Sequence, residues 1–384
     1  MDQRYRGGFW AALFLILLLP LLFVGSGRNF PGLGLPVRGL RGSVPKARLV
    51  WEFYGGKDQI PVWLGGPLAK QQPLTEDYPG VLVAVAADGN GLWSEKMSTP
   101  FTAISDGEQL IVAAKTGQLT KFIPTQGALW SVNSDWETQT LVLALDGQIV
   151  VAQGPILEGQ SNLLERVCIY DANGNLVAEH VFRNNSVIDL DISADNVFVS
   201  TINLAQDVPS RQLFSLAVES AATQLLWQNE EIIFTMAAGS GGIAAAAGDI
   251  IYLSPAEGED STIKMDYPVT QLAWAPGGML TAIEVGTKPT AATLLLMESN
   301  GKRCWQQSLK GDFRALVVRG DEIIAADSHV VYCYSGQGNL KWCYQSPAAI
   351  KGLHPLAAGK RVVVTTMGNH LLLLEPPPAS DPLL

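Results

Sequence analysis

A short motif that recurs along the chain places the strongest limit on its fold. A glycine turn is followed within two to four residues by a tryptophan, in a short apolar segment. The clearest copies lie at residues 91–93, 127–130, 301–305 and 338–342. Regular return of such a unit is typical of a repeat protein, because one unit alone is too small to bury its apolar face.

The spacing of the motif predicts the kind of repeat. Eight equivalent positions can be assigned, namely Trp51, Trp93, Trp130, Ala178, Trp227, Met265, Trp305 and Trp342. The steps between them run from 37 to 49 residues, which is the length of one four-stranded propeller blade. We therefore predict an all-β propeller with eight blades, with seven blades as the alternative.

The apolar pattern inside each unit is typical of strands, and no sustained helical period occurs after residue 27. Runs rich in alanine and valine are predicted to be the innermost strands, since small residues suit a crowded axis: residues 109–114, 148–152, 242–247 and 361–364. Runs with larger side chains are predicted to follow them and to fill the space between blades. These runs lie near residues 81, 119, 166, 212, 250, 293, 330 and 371.

The two ends of the repeat region complement each other. Trp51 lies on an outer strand with no partner strands before it, whereas the leucine run 371–374 ends a unit that lacks an outer strand. Pairing of the two would complete the last blade from both ends of the chain. It would also remove a strand edge that an open ring leaves free for aggregation.

The repeat region is preceded by an apolar segment and a linker. Residues 1–27 combine Arg4 and Arg6 with an uncharged run from Gly7, long enough to cross a membrane, and are predicted to be a signal anchor. A signal peptide cleaved after Ser26 is the alternative. Residues 28–46 form a basic linker rich in glycine and proline, residues 47–376 the propeller, and residues 377–384 a proline-rich disordered tail.

The charge distribution makes nucleic acid an improbable partner. The first 48 residues hold seven of the 26 basic residues and one of the 36 acidic residues, so the remainder carries a net charge of −16. This part of the chain therefore lacks the excess of lysine and arginine that binds the phosphates of nucleic acids. The basic linker is predicted either to contact anionic lipid head groups or to be a solvated spacer.

The tryptophans fall into two groups. Those in register with the repeat are predicted to pack blade against blade: Trp51, Trp93, Trp130, Trp227, Trp305 and Trp342. Trp63, Trp136 and Trp274 lie outside the register and are the candidates for partner contacts, with packing inside the protein as the alternative.

A search for catalytic residues and metal ligands yields no constellation. The four histidines are scattered, and the metal motifs HExxH and CxxC do not occur. The segments 88–91 and 171–175 lack the spaced acids of a calcium loop and are predicted to be hairpin turns. Cys333 and Cys343 flank one predicted hairpin and form a possible disulfide, with buried free thiols as the alternative.

The glycine-to-tryptophan ends at residues 299–305 and 338–342 resemble the repeats of the PQQ-like, or quinoprotein-type, β-propellers. The resemblance covers residues 47–376, although the alanine-x-aspartate half of the family repeat is largely missing. Quinoprotein dehydrogenases surround their cofactor with calcium ligands and an aspartate base, and none of these can be placed on this chain. The resemblance therefore implies a non-enzymatic member, without cofactor or metal, similar to scaffolds of outer-membrane protein assembly.

These patterns together predict a monomeric, membrane-anchored extracytoplasmic propeller that binds protein partners of the cell envelope. Secretion after signal cleavage is the alternative location. Recognition is expected in the irregular segments 60–79, 153–165, 203–211 and 284–292, because a rigid ring presents its loops on its faces. The alternative function is that of a ligand sensor or enzyme that uses the central channel.

Overall fold

The computed structural model describes residues 44–378 with short gaps, and the propeller occupies this part of the chain. The gaps are residues 57, 69–73, 77, 144–146, 156–163, 194–195, 206–208, 220–221, 240, 256–257, 287–290, 311–312 and 314. The predicted anchor at residues 1–27, nearly all of the linker and the end of the tail lie outside the described residues. No helix within the described part has the length and apolarity needed to cross a membrane.

The described residues form 32 strands and one 3₁₀ turn, at Pro276–Gly278. The first sixteen strands are β1 (Arg48–Tyr54), β2 (Gln59–Trp63), β3 (Leu74–Glu76), β4 (Gly80–Val85), β5 (Gly91–Met97), β6 (Phe101–Ser105), β7 (Leu110–Ala114), β8 (Gln118–Ile123), β9 (Gly127–Asn133), β10 (Trp136–Leu143), β11 (Ile149–Pro155), β12 (Leu164–Tyr170), β13 (Leu176–Arg183), β14 (Asn185–Ser193), β15 (Asn196–Asn203) and β16 (Ser210–Ala217).

The other sixteen strands complete the ring. They are β17 (Thr223–Asn229), β18 (Ile233–Gly239), β19 (Gly242–Ala247), β20 (Ile250–Pro255), β21 (Ser261–Lys264), β22 (Val269–Ala275), β23 (Met279–Val285), β24 (Ala291–Met297), β25 (Arg303–Lys310), β26 (Ala315–Arg319), β27 (Glu322–Ala326), β28 (Val330–Ser335), β29 (Leu340–Gln345), β30 (Ile350–Pro355), β31 (Val362–Thr366) and β32 (His370–Glu375).

The strands form eight sheets, which confirms the prediction of eight blades over seven. Blade 1 contains β2, β4 and β5, blades 2 to 7 take four consecutive strands each from β6 to β29, and blade 8 contains β30, β31, β32 and β1. Six blades have four strands. Blade 1 has three and blade 2 has five, because β3 leaves the first blade and pairs with β6 of the second.

The ring closes as the sequence predicts. β1 pairs antiparallel with β32, and the register places Trp51 opposite Leu373 and Phe53 opposite Leu371. Arg48 and Glu375 form an ion pair across the same two strands. The last blade therefore combines strands from both ends of the described chain and leaves no unpaired edge at β32.

The prediction for the innermost strands is wrong by one strand. The alanine- and valine-rich runs are β7, β11, β19 and β31, and each is the second strand of its blade. The strands nearest the axis are the first of each blade, since β6, β10, β14, β18, β22, β26 and β30 contact one another between neighbouring blades. The second strands are rich in small residues because they are buried on both faces, between two neighbouring sheets.

The indole N–H groups of the outer-strand tryptophans connect each blade to the next. In four blades the N–H donates to a backbone carbonyl in or beside the turn that precedes the next outer strand. The pairs are Trp51 with Ala87 at 3.0 Å, Trp93 with Ile123 at 3.2 Å, Trp130 with Ala172 at 3.0 Å and Trp305 with Gly336 at 2.9 Å. Each indole ring thus packs on the neighbouring blade while its one polar atom forms a hydrogen bond.

Trp342 differs because the blade that follows it has no such turn. Pro45 lies six residues before Trp51, where Ala87 lies six before Trp93, but its carbonyl accepts the N–H of Cys343 at 3.1 Å instead. Trp342 is 1% exposed, and its Nε1 has no hydrogen-bond partner among the described residues. The closure of the ring thus leaves one buried donor unpaired.

Replacement of Trp342 by phenylalanine is expected to destabilise the protein less than the same change at Trp305. Both changes replace an indole with a smaller phenyl ring, but only Trp305→Phe removes an existing hydrogen bond, the one to Gly336 O. Trp342→Phe removes an unpaired buried donor, whose presence costs about 1–3 kcal/mol. Urea denaturation should show a difference of at least about 1 kcal/mol in the free energy of unfolding, and an equal or larger loss at Trp342 would contradict this account.

Candidate functional site

The most irregular feature near the axis is the connection between β2 and β4. These two strands pair in parallel, so the chain must cross between them. We call residues 64–79 the axial insertion. Its strand β3 pairs with the free inner edge of β6, and Leu68 forms a bridge with Leu356 of blade 8. The insertion therefore contacts both neighbours of its own blade, blade 2 on one side and blade 8 on the other, at the inner edge of the propeller.

Hydrogen bonds and an ion pair fix the axial insertion. The N–H of Gly66 donates to Gly107 O at 3.0 Å, and the N–H of Leu68 donates to Asp106 O at 2.7 Å. A Cβ on Gly107 would lie 1.9 Å from Gly66 O, so this close approach needs glycine. Lys351, at a bulge of β30, forms an ion pair with Glu76. The described parts of the predicted recognition segment 60–79 are thus tied to the neighbouring blades.

A small cavity lies beneath the axial insertion. It measures about 30 Å³ and is lined by residues that include Trp63, Leu68, Ser105 and His354. This volume holds one water molecule, whereas sites for organic ligands measure roughly 300–1,000 Å³. The cavity therefore has no room for a quinone or a sugar.

Burial lowers the pKa of His354 to about 4. The imidazole is neutral in the folded protein near pH 5 but takes up a proton in the unfolded chain, whose histidine pKa is about 6.5. Protons therefore favour the unfolded state in the window from about pH 6.5 down to about 4.

The His354 imidazole is expected to make stability depend on pH in this window. Between pH 7 and pH 5 it should remove about 2 kcal/mol from the free energy of unfolding. His354→Gln, which carries no titratable group, should abolish that part of the loss. Urea denaturation of both proteins at the two pH values measures it, and parallel pH dependence of wild type and variant would contradict the assignment.

The remaining histidines lie in structural contacts. His180 makes an edge-to-face contact with Phe182 at 4.6 Å, His329 contacts the Ser328 hydroxyl at 3.1 Å, and His370 contacts Glu52. Among the described residues, no three histidine, cysteine, aspartate or glutamate side chains come together as a metal site.

Glu165 is a buried carboxyl group at the contact between two blades. Burial raises its pKa, and it accepts hydrogen bonds from the Ser186 hydroxyl at 3.0 Å and the Val187 N–H at 2.5 Å. Both donors belong to blade 4, whereas Glu165 lies on β12 of blade 3. Its carboxylate therefore joins two blades through their backbone and side chains.

The predicted hairpin turns have the expected hydrogen bonds. Asp88 accepts the backbone N–H of Asn90 at 3.0 Å, and Asp171 accepts the side-chain amide of Asn175 at 2.9 Å. These hydrogen bonds lower the pKa of both aspartates. The carboxylates thus complete the turns in which they lie.

The geometry of the hairpin between β28 and β29 favours free thiols over the possible disulfide. Cys333 lies opposite Trp342, and Cys343 lies opposite Tyr332. Because side chains alternate along a strand, the two sulfur atoms face opposite sides of the sheet. All four cysteines are free, and burial raises the pKa of Cys333 to about 12.

The three tryptophans outside the repeat register pack within the propeller. Trp63 is 3% exposed and stacks on Trp51 with ring centroids 5.8 Å apart. Trp274 donates to Ala237 O at 2.8 Å and packs on a core cluster. Trp136 is half-buried under the guanidinium of Arg166, which lies 4.7 Å from its ring centroid. Their environment is that of packing residues, the alternative that the sequence left open.

Comparison with known proteins addresses the family resemblance. A family profile described as outer membrane protein assembly factor BamB matches residues 292–376. The match falls on the part of the chain that carries the two best glycine-to-tryptophan ends. The resemblance to PQQ-like propellers is confirmed.

Solved propellers show the same fold over most of the chain. BamB from Moraxella catarrhalis aligns with a TM-score of 0.53 and 16% identity, over 86% of this chain and 99% of that one. BBS1N, in complex with ARL6DN, aligns with a TM-score of 0.54 and 14% identity over 88% and 99%. The Dos1 propeller gives 0.57 and 12% over 86% and 95%. No curated protein sequence matches the chain.

Exposed aliphatic side chains recur on the outer strands of the propeller, a feature that sequence reasoning missed. They lie on the outer strands of five consecutive blades, from blade 8 through blade 4. We call the set the apolar rim: Leu49, Leu92, Leu129, Leu176, Val177, Val181 and Leu225. Their exposed fractions run from 36% to 52%.

Blades 5 to 7 lack a counterpart of the apolar rim. No large hydrophobic residue described on β21, β25 or β29 is exposed to a similar extent. At the bulge before the tryptophan, where blades 1 and 2 carry Leu92 and Leu129, blades 6 and 7 carry Cys304 and Lys341. Leu92 and Leu129 directly precede a tryptophan in the sequence, but only the fold shows that these two side chains are exposed.

Proposed function

We propose that this protein is a non-catalytic scaffold that binds protein partners in the cell envelope and is tethered there by residues 1–27. The apolar rim is the observation that carries the proposal. Exposed aliphatic residues lie on the outer strands of five adjacent blades, where a partner can reach them. A partner that covered them would remove their apolar area from water.

The comparisons support the class of function. BamB is described as an outer membrane protein assembly factor, and BBS1N was solved in complex with ARL6DN. The cavity of about 30 Å³ beside the axial insertion is too small for an organic ligand, which favours display of an outer surface over ligand binding at that site. Propeller folds host many functions, so the surface and not the fold carries this conclusion.

The membrane tether is supported by the sequence of residues 1–27. An uncharged run of about 20 residues after two arginines is long enough to cross the hydrocarbon core. Mass determination of the protein purified from membranes distinguishes an intact anchor from cleavage after Ser26. A reporter fused after residue 384 measures the side of the membrane, and activity of a cytoplasmic reporter alone would contradict export.

The scaffold function is tested by chemical cross-linking of the full-length protein in its native membrane. Co-purified envelope proteins are expected with the wild type. The variant Leu129→Gln/Val177→Gln/Leu225→Gln should lose most of them, because three exposed aliphatic contacts are replaced by amides. Met367→Gln is the matched control, since Met367 is 57% exposed but lies in the turn after β31. Partners retained by the triple variant, or lost equally in the control, would contradict the rim as the binding surface.

A further inference from the structure

The seam where β1 and β32 close the propeller contains a groove lined by charged side chains. It measures about 790 Å³ and lies between the turn 356–361 of blade 8 and the proline run 376–378. Arg48, Lys360, Arg361 and Glu375 line it, together with Leu356 and Ala358. We call it the seam groove. Its volume is in the range of sites that hold a small ligand or a few residues of extended chain.

The walls of the seam groove are fixed before any ligand arrives. Arg319 of blade 7 donates to the carbonyls of Arg361 at 2.7 Å and Lys360 at 2.9 Å, which holds the turn from behind. Arg319 also pairs with Glu322 at 2.7 Å. On the opposite side, three consecutive prolines form a stiff wall, because the pyrrolidine ring of each proline restricts its own φ angle.

The charge of the seam groove is opposite to that of the propeller. Glu375 lies between two arginines. It accepts hydrogen bonds from Nε and a terminal nitrogen of Arg361 at 3.1 and 3.0 Å, and it forms an ion pair with Arg48. These hydrogen bonds lower the pKa of Glu375, so it stays ionised. One carboxylate faces three cationic side chains, and Lys360 has no ion pair within the described part of the chain. The groove is thus cationic in a propeller that carries a net −16 from residue 49 onward.

We propose that the seam groove binds an extended, acidic segment of a partner protein. Arginine guanidinium groups recognise carboxylates through charge-assisted hydrogen bonds, and Oε1 of Glu375 already accepts two of them from Arg361. The proline and aliphatic walls suit the apolar part of an extended chain. An acidic partner is repelled by the rest of the surface, which directs it to this groove. The proposal rests on the scaffold function and names the chemistry of one partner segment.

Fluorescence anisotropy with the full-length protein in detergent tests the proposal. The probe is a fluorescein-labelled peptide of about eight residues that alternates glutamate and leucine, an extended pattern of the kind such grooves take. Lys360→Gln/Arg361→Gln should weaken binding at least about tenfold, because two of three cationic partners are lost. Glu375→Gln should tighten it several-fold, because the competing internal carboxylate is gone. A damaged fold would weaken binding and not tighten it.

Matched controls make the outcome decisive. Lys264→Gln/Lys302→Gln removes the same charge from exposed lysines of blades 5 and 6 and should leave binding unchanged. Equal weakening in this variant, or equal binding of a glutamine–leucine peptide, would overturn the proposal. Retention of phosphatidylglycerol vesicles through Lys360 and Arg361 without peptide binding would assign the groove to a membrane and overturn it too. If the peptide fails while the rim-dependent cross-links persist, the seam groove proposal falls and the scaffold function stands.

Discussion

Deletion of residues 44–54 is expected to leave the propeller largely unfolded at room temperature. Those residues include β1, which contributes the half-buried side chains of Val50, Trp51 and Phe53 and the six backbone pairs along the outer edge of β32. Loss of this burial and of the strand pairing costs about 5 kcal/mol, which is comparable to the net stability of a typical domain. The exposed edge of β32, with its run of four leucines at 371–374, would also promote aggregation.

Thermal denaturation followed by circular dichroism measures the effect of this deletion. Deletion of residues 1–43 is the control, because the compact unit begins at Val44. The control protein should melt cooperatively at the temperature of the full chain in the same detergent. A protein without residues 44–54 that melts like the control would show that the ring does not depend on closure by β1.

Gly338→Ala is expected to be strongly destabilising, although it adds a single methyl group in an outer-strand turn. Its φ of +80° disfavours any residue with a Cβ, and that Cβ would lie 2.8 Å from the Trp305 ring. The backbone strain costs about 1 kcal/mol and the overpacking about 1–3 kcal/mol more. We therefore expect a loss of about 2–4 kcal/mol in the free energy of unfolding, measured by urea denaturation.

Gly127→Ala separates the two contributions to this loss. Gly127 begins the corresponding strand of blade 2 with a φ of +73°, but a Cβ there meets no atom within 4 Å. Its replacement should cost about 1 kcal/mol from backbone strain alone. Equal losses in the two variants would mean that the packing of Trp305 on the next blade contributes nothing measurable.

The repeat signal predicted the ring well because one geometric requirement returns in every unit. Each outer strand needs a turn before it and an aromatic side chain that packs on the neighbouring blade, so glycine and tryptophan recur at a nearly fixed interval. The prediction of closure by Trp51 and the leucine run followed from counting strands that lacked partners. Both inferences depend on local sequence and on the need to pair every edge, and both hold in the structure.

The assignment of the innermost strands failed for a physical reason. A strand of small residues suits a crowded axis and also suits the space between two sheets, and the sequence does not distinguish these environments. The first strands of the blades carry bulges and polar residues, as at Lys351, and resemble irregular connections when read alone. Contacts between neighbouring blades were needed to place them next to the axis.

The axial insertion and the seam groove lay beyond sequence reasoning for a related cause. β3 pairs with β6 across two intervening strands, and Glu76 meets Lys351 although 275 positions separate them. The groove joins Arg48 to Arg361 and Glu375 from the other end of the chain. No periodic pattern links such residues, because each contact arises once, where the ring closes.

The sequence by itself determined the fold class, the number of blades and the closure of the ring. Those features follow from requirements that every repeat meets locally: a turn, a strand period of two and an aromatic ring for the next blade. Only the tertiary structure decided which residues face the axis, which aliphatic residues form the apolar rim and where positive charge collects. These depend on which distant segments become neighbours, and that is set by the packing of the whole ring.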